Sequence, residues 1–313
     1  MVARRAILLD TDIGTDVDDL VALALALCSP ELELVGVTTV YGDVALRARM
    51  VAKMLLLAGR EEVPVACGAR EPLLGRPPVY WAGHEGEGLL GPDEELPPPA
   101  AEHAVDLIVR TVMARPGEIT LVTIGPLTNA ALAFAREPGL AQALRQLVIM
   151  GGVARLDPGA LGWPLAEHNV RSDPEAARIV FQAGAPLLMV GLDVTLRSMV
   201  TRSNAESLAE GGSAFQRAVA DQLVRYMELN RRDYTYMHDP LAVSLTIDPT
   251  FVTTERALVR VETAGEFATG MTLVSRPVDG RPSAEVAMTV AAPQFVEFLL
   301  QRLRQGPVRG GSL

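Results

Sequence analysis

Five aspartates crowd into ten residues, Asp10, Asp12, Asp16, Asp18 and Asp19, between the apolar run Ile7-Leu8-Leu9 and a second apolar run from Leu20 to Leu27. No Lys or Arg falls between Ala6 and Leu46, so nothing close in sequence neutralises the cluster. Carboxylates packed this closely repel one another, and a buried set must either protonate or find a cation. A hard divalent metal resolves the conflict, because carboxylate oxygens are its preferred ligands. The pattern therefore predicts a first strand that ends in a metal site, with a helix starting at the last two acids.

At 313 residues the chain can bury a substantial core, and its 49% apolar and 21% charged composition is that of a globular enzyme rather than a disordered chain. A net charge of −10 with no basic face argues against nucleic acid or an anionic membrane as a partner. Lys53 is the only lysine, which excludes any mechanism needing a second one. Cys28 and Cys67 are too few for a disulfide framework, so a reduced, cytoplasmic setting is expected. Arg4 and Arg5 precede an apolar run that Asp10 cuts short, which is not the pattern of a signal peptide. No apolar stretch approaches the roughly 18 residues of a spanning helix, so a soluble protein is expected.

Short apolar runs alternate with helical patterns through the first two hundred residues, the mark of a largely parallel sheet covered on both faces. Strands are predicted at 6–10, 34–39, 64–66, 119–124, 147–150 and 186–190, and helices at 18–28, 44–57, 101–114, 127–136 and 174–184. The last helix carries Asp173 as N-cap, Pro174 at its first position and Gly184 at its end. An amphipathic helix over 214–230 and a short apolar one over 241–245 follow, then antiparallel strands at 257–262, 269–275 and 285–290 and a helix over 293–304. The expected fold is α/β, an open, mostly parallel Rossmann-like sheet flanked by helices with a mixed C-terminal extension. It is read as one domain over 1–313, with 305–313 a flexible tail. Ligands of such sheets bind beyond the carboxyl ends of the strands. Asp10 and Asp12, Tyr41-Gly42-Asp43, Gly125-Pro126 and Gly151-Gly152 all follow that rule. The Pro-, Gly- and Glu-rich stretch 71–100, with Tyr80, Trp81 and His84, reads as a flap over the site.

Several motifs occur in a fixed order: Asp10-Thr11-Asp12-Ile13-Gly14 with Asp18-Asp19, Gly125-Pro126-Leu127-Thr128-Asn129, Met150-Gly151-Gly152, Ala166-Glu167-His168-Asn169 with Asp173-Pro174-Glu175, and His238-Asp239-Pro240-Leu241. In these the chain resembles the inosine–uridine-preferring nucleoside hydrolase family, which cleaves the N-glycosidic bond of ribonucleosides. The resemblance implies a Ca2+ held by Asp12, Asp19, Asp239 and the backbone carbonyl of Ile124, with Asp10 as a further ligand or a support. An all-oxygen set without a cysteine or multi-histidine group also suits calcium rather than zinc. Asp12 is implied as general base toward a metal-bound water, and His238 as the group that protonates or hydrogen-bonds the leaving base. Asp18, Glu167 and Asn169 are implied ribose ligands, with Met150 against the sugar, Asp43 as a further acid near it, and His84 as the flap histidine. Tyr234 and Tyr236 are candidates to stack on the base. The implied partner is a small-molecule nucleoside, and the implied assembly a homodimer or homotetramer.

The chain departs from the family pattern at four points. The turn before the aspartate pair is two residues longer, which leaves open whether Asp16 or Asp18 fills the corresponding position. Asp43 replaces an Asn, Leu161 replaces an Asn that reaches the ribose, and His168 replaces an aromatic residue. These changes bear on the substrate more than on the reaction, and purine and pyrimidine bases are not ranked by them. Two rival readings fit parts of the same sequence. A haloacid-dehalogenase-like phosphohydrolase shares the aspartate motif, but Lys53 is poorly placed inside a helix to hold a phosphoryl group. A non-catalytic nucleoside- or ribose-binding protein would retain the metal site without turnover.

Overall fold

The computed structural model describes residues 4–155, 165–277 and 283–308. Eleven strands form the framework: β1 (Arg5–Thr11), β2 (Leu32–Thr39), β3 (Val65–Cys67), β4 (Ile119–Thr123), β5 (Gln146–Met150), β6 (Leu187–Val190), β7 (Met199–Thr201), β8 (Tyr234–Tyr236), β9 (Val252–Val261), β10 (Thr272–Ser275) and β11 (Ala284–Val290). Nine of them make one sheet in the order β10-β9-β11-β6-β5-β4-β1-β2-β3, and β7 and β8 pair separately. From β3 to β6 every pairing is parallel, and β11 also runs parallel to β6. Within this sheet β9 alone runs against the common direction, antiparallel to both β11 and β10, and the C-terminal strands extend the main sheet rather than forming one of their own.

Strand periodicity explains why both faces are covered. In β1, Ile7 and Leu9 enter one hydrophobic cluster, while Ala6 and Leu8 enter the other. The first cluster receives the helices Asp18–Leu27, Val44–Ala58, His238–Leu245 and Ala292–Gln305. The second receives Ala104–Ala114, Thr128–Arg136 and Pro174–Gln182. The Asp18–Leu27 helix is buried along its whole length, as its unbroken apolar sequence requires.

The strand order reverses at β1, which lies between β2 and β4, third from the β3 edge of the sheet. Loops leaving β1 and β4 therefore diverge to opposite faces and open a crevice beyond their carboxyl ends. The aspartate turn leaves β1 at this point. The stretch 71–100 carries no helix or strand, as expected of a flap. The expected tail differs: the last helix runs through Gln305, and the Val308 N–H donates to the Leu27 carbonyl at 2.9 Å. Residues 309–313 and Leu161 lie outside the described residues. The pairing of β7 with β8 and the short helices Leu140–Ala143, His168–Ser172 and Arg202–Ala209 are additions to the sequence reading. No helix among the described residues is long and apolar enough to cross a membrane.

Candidate active site and metal centre

A cavity of about 390 Å³ opens beyond the ends of β1, β4 and β5. It is lined by Asp12, Asp16, Asp18 and Asp19 from the aspartate turn, by Ile124 and Met150 from the next strand ends, by Glu167, His168 and Asn169, and by His238 and Asp239. Tyr80, Ala82 and His84 of the flap close one side, and Tyr226 and Asn230 another.

Asp18 and Asp19 occupy the first turn of their helix, where acids complement the helix dipole. Asp239 occupies the first turn of the His238–Leu245 helix, which begins three residues before the predicted 241–245 segment. The two helix starts face each other, and the Asp239 N–H donates to Asp18 Oδ2 at 3.0 Å. As a result Asp18, Asp19 and Asp239 each present a carboxylate oxygen within 4.8 Å of the others, at 2%, 4% and 4% exposure. Burial drives all three carboxyls well above their ordinary range, and the neighbouring aspartates add to the effect. Three buried, mutually repelling acids fit a divalent ion that prefers oxygen.

Asp12 lines the same cavity but stands outside this trio. Burial raises its carboxyl, while Arg47 and His168 oppose the rise. His168 Nε2 lies 4.0 Å from Asp12 Oδ2. Asp10 is placed differently from the metal-ligand expectation. Period-two alternation turns it to the face of Ala6 and Leu8, away from the Asp18–Leu27 helix that Thr11 meets through Asp19. There Asp10 Oδ1 accepts from Thr38 Oγ1 at 2.6 Å and Asn129 Nδ2 at 2.8 Å. Its Oδ2 is buried without a hydrogen-bond partner among the described residues, and burial pushes the carboxyl up to about 7.

At the other end of the cavity Glu167 caps the His168–Ser172 helix. Its carboxylate accepts from the N–H groups of Asn169 at 2.7 Å, Gly152 at 2.9 Å and Val170 at 3.1 Å. Asn169 Nδ2 donates to the Ile124 carbonyl at 2.9 Å and the Met150 carbonyl at 3.1 Å, tying the ends of β4 and β5 together. His238 is half-buried, and its Nδ1 pairs with Thr195 Oγ1 at 2.7 Å, leaving Nε2 as the ring nitrogen available to a ligand. Burial lowers its pKa below the ordinary imidazole value.

A family model described as "Inosine-uridine preferring nucleoside hydrolase" matches residues 7–297. The chain belongs to this family. A pyrimidine-specific ribonucleoside hydrolase of Enterobacter sp. is 37% identical over 315 residues, covering 97% of this chain and 99% of that protein. Among solved structures, a plant nucleoside hydrolase superposes with a TM-score of 0.82 at 32% identity, covering 96% of this chain and 99% of that one. A purine-preferring ribonucleoside hydrolase from Gardnerella vaginalis gives 0.82 at 30% identity, covering 96% and 98%. As a nucleoside hydrolase the chain cleaves the N-glycosidic bond, and the cluster of Asp18, Asp19 and Asp239 is its Ca2+-type site.

Of the residues singled out in sequence, the nucleoside hydrolase fold brings Asp12, Asp18, Asp19, His84, Ile124, Met150, Glu167, Asn169, His238 and Asp239 to one cavity. Asp18, read as a ribose ligand, lines the cavity and also stands in the metal-type trio, where the Asp239 N–H donates to it. Asp43 does not line the cavity: it is exposed and caps the Val44–Ala58 helix by accepting from Ala45 and Leu46. Tyr234 and Tyr236 line an adjoining cavity of about 240 Å³ rather than this one. Sequence reasoning missed Arg47, Tyr226 and Asn230. Tyr226 OH donates to Asp16 Oδ2 at 2.8 Å, which engages Asp16 outside the trio. Arg47 had a signal, as the first basic residue after the uncompensated acidic run.

Proposed function

We propose that the cavity binds a ribonucleoside with its sugar between Glu167, Asn169 and Met150 and its base toward His238 and the flap. The observation that carries this reading is the convergence of Asp12, the three metal-type aspartates, Asn169 and His238 on one cavity. Asp18, Asp19 and Asp239 would hold Ca2+, with the Ile124 carbonyl on the same wall. When bound, the ion supplies a water of lowered pKa for attack at C1′ of the sugar. Asp12 accepts the proton of the attacking water, and its carboxylate stabilises positive charge developing on the ribose. As the water oxygen bonds to C1′, the glycosidic bond breaks and its electron pair goes to the base nitrogen. His238, neutral at pH 7 because burial lowers its pKa, donates a hydrogen bond from Nε2 to the departing base. Asn169 and Glu167 suit the vicinal hydroxyls of a ribose, and a 2′-deoxy substrate leaves a buried partner unpaired.

Pyrimidine ribonucleosides are the proposed substrates, supported by 37% identity over nearly the full length to a pyrimidine-specific relative. A single domain in a cytoplasmic homodimer or homotetramer, with no nucleic acid partner, is proposed with it. Two free thiols support the reduced compartment, one of them, Cys28, buried with its pKa pushed up to about 12. A panel of nucleosides assayed for free base and reducing sugar tests the reading. Release from uridine and cytidine is expected, suppressed by a chelator and restored by Ca2+. Release from purine nucleosides alone overturns the base preference. No release from any nucleoside, with phosphate released from phosphomonoesters instead, overturns the reaction.

A further inference from the structure

Arg47, on the Val44–Ala58 helix, is the largest fully buried side chain among the described residues, at 0% exposure. A buried guanidinium is costly unless its donors are matched. Here they are spent on the backbone around the aspartate turn. Nε donates to the Tyr41 carbonyl at 2.7 Å, Nη1 to the carbonyls of Asp12 and, at 2.7 Å, Ile13, and Nη2 to Thr15 Oγ1 at 3.2 Å. The guanidinium carbon stands 5.0 Å from the centroid of the Trp81 ring, in the flap. The flap meets the same turn from its other side: Glu85 accepts from Thr15 Oγ1 at 3.0 Å, and His84 Nε2 lies 3.0 Å from the Thr15 carbonyl.

We propose that Arg47 is a positioning residue of the hydrolytic site, which fixes the 12–15 turn so that its acids face the metal position and ties the flap to that turn through Trp81. Two features carry this. The fork reaches carbonyls of consecutive residues, which sets the direction of the peptide planes on either side of Ile13. It does so without touching the cavity, so its effect passes through Asp12 and the residues beyond it.

The proposal rests on the hydrolytic reading above, so its test includes a measurement independent of turnover. Ca2+ titration calorimetry on the full chain and on Arg47→Lys should show binding weakened about 10-fold, since a lysine keeps the charge but loses the fork. In the same variant kcat/KM should fall about 100-fold, through kcat more than KM. Trp81→Leu should keep the wild-type Ca2+ affinity and raise KM. Arg47→Met should exceed Arg47→Lys in both effects, and if it does not fold, the other two variants still decide. Arg47→Lys with wild-type Ca2+ affinity and kcat, and only a lower thermal midpoint, overturns the proposal in favour of a merely structural role. If the wild-type chain binds Ca2+ but cleaves no nucleoside, the functional reading fails while the calorimetric comparison still judges Arg47.

Discussion

Glu167 and the trio of Asp18, Asp19 and Asp239 are buried acids at two ends of one cavity, and the protein treats them in opposite ways. Glu167 receives three backbone N–H groups on a single carboxylate. The trio receives two protein donors between three carboxylates, Thr11 Oγ1 on Asp19 and the Asp239 N–H on Asp18. Burial raises the pKa at both ends, but only at the second do neighbouring carboxylates add to it. A carboxylate surrounded by donors is finished by folding, whereas one surrounded by like charge is completed by a cation. The difference separates a rigid sugar-facing end from an end whose stability depends on a bound ion.

The largest expected effect removes an acid that has no protein donor on its side chain among the described residues. Asp239→Asn, like Asp12→Asn at the base position, should cut turnover about 1,000-fold or more while leaving the fold intact. Base release at saturating Ca2+ with a matching circular-dichroism spectrum is the measurement. Near-wild-type turnover in Asp239→Asn would remove it from the metal end.

A second test uses pH. The Asp10 carboxyl is raised from 3.8 to about 7, and those of the trio are raised well above 3.8. A raised folded-state pKa means that the folded protein holds protons the unfolded chain has released. That contribution to stability is complete below the unfolded value and is lost as pH climbs through the folded one. In a chelator the thermal midpoint should therefore fall between about pH 5 and pH 8. Ca2+ requires ionised carboxylates, so it should raise the midpoint more at the upper pH than at the lower. An equal Ca2+ effect at both would detach the trio from the ion. The part due to Asp10, which sits on the opposite face of β1, should persist with Ca2+ present.

Glu167→Gln probes the finished end. An amide cannot accept at both positions, so one or two capping bonds are lost at a cost of about 1–2 kcal/mol. Denaturant unfolding should show that loss, with Ca2+ affinity unchanged by calorimetry. A large loss of Ca2+ affinity would merge the two ends into one network.

Much of this contrast was legible before any coordinates. Alternating apolar runs foretold the parallel strands, because residues buried on both faces leave little choice of partner. The motif aspartates, Asn169 and His238 reached one cavity because strand ends and helix starts are set by local signals that the sequence displays. Which face a residue takes was harder. Asp10 belongs to the face of Leu8, a consequence of period two that the crowding of five acids obscured. Asp18 joined the trio through a backbone donor from Asp239, 221 residues away, which no local pattern announces. Arg47 and Tyr226 act on the aspartate turn from distant helices for the same reason. The short strands β7 and β8, three residues each, are too brief for alternation to register.

The smallest expected effect comes from an acid that shares a strand-end address with the others but not their situation. Asp43 follows β2 and stands one residue before a helix, and Gly42 beside it takes a φ of 76° that turns the chain into that helix. Its Oδ1 accepts from Ala45 at 3.2 Å and Leu46 at 3.1 Å, and the side chain is exposed. That arrangement satisfies the carboxylate with helix donors and leaves it outside the cavity, so the sugar end does not depend on it. Asp43→Ala should cost about 1 kcal/mol of stability, the ordinary value of a lost N-cap. Its kcat/KM and Ca2+ affinity should match the wild type, and Asp43→Ser should recover most of the stability because a hydroxyl caps nearly as well. A rise in KM in Asp43→Ala that Asp43→Ser does not relieve would return this carboxylate to the substrate and enlarge the sugar-facing end beyond Glu167, Asn169 and Met150.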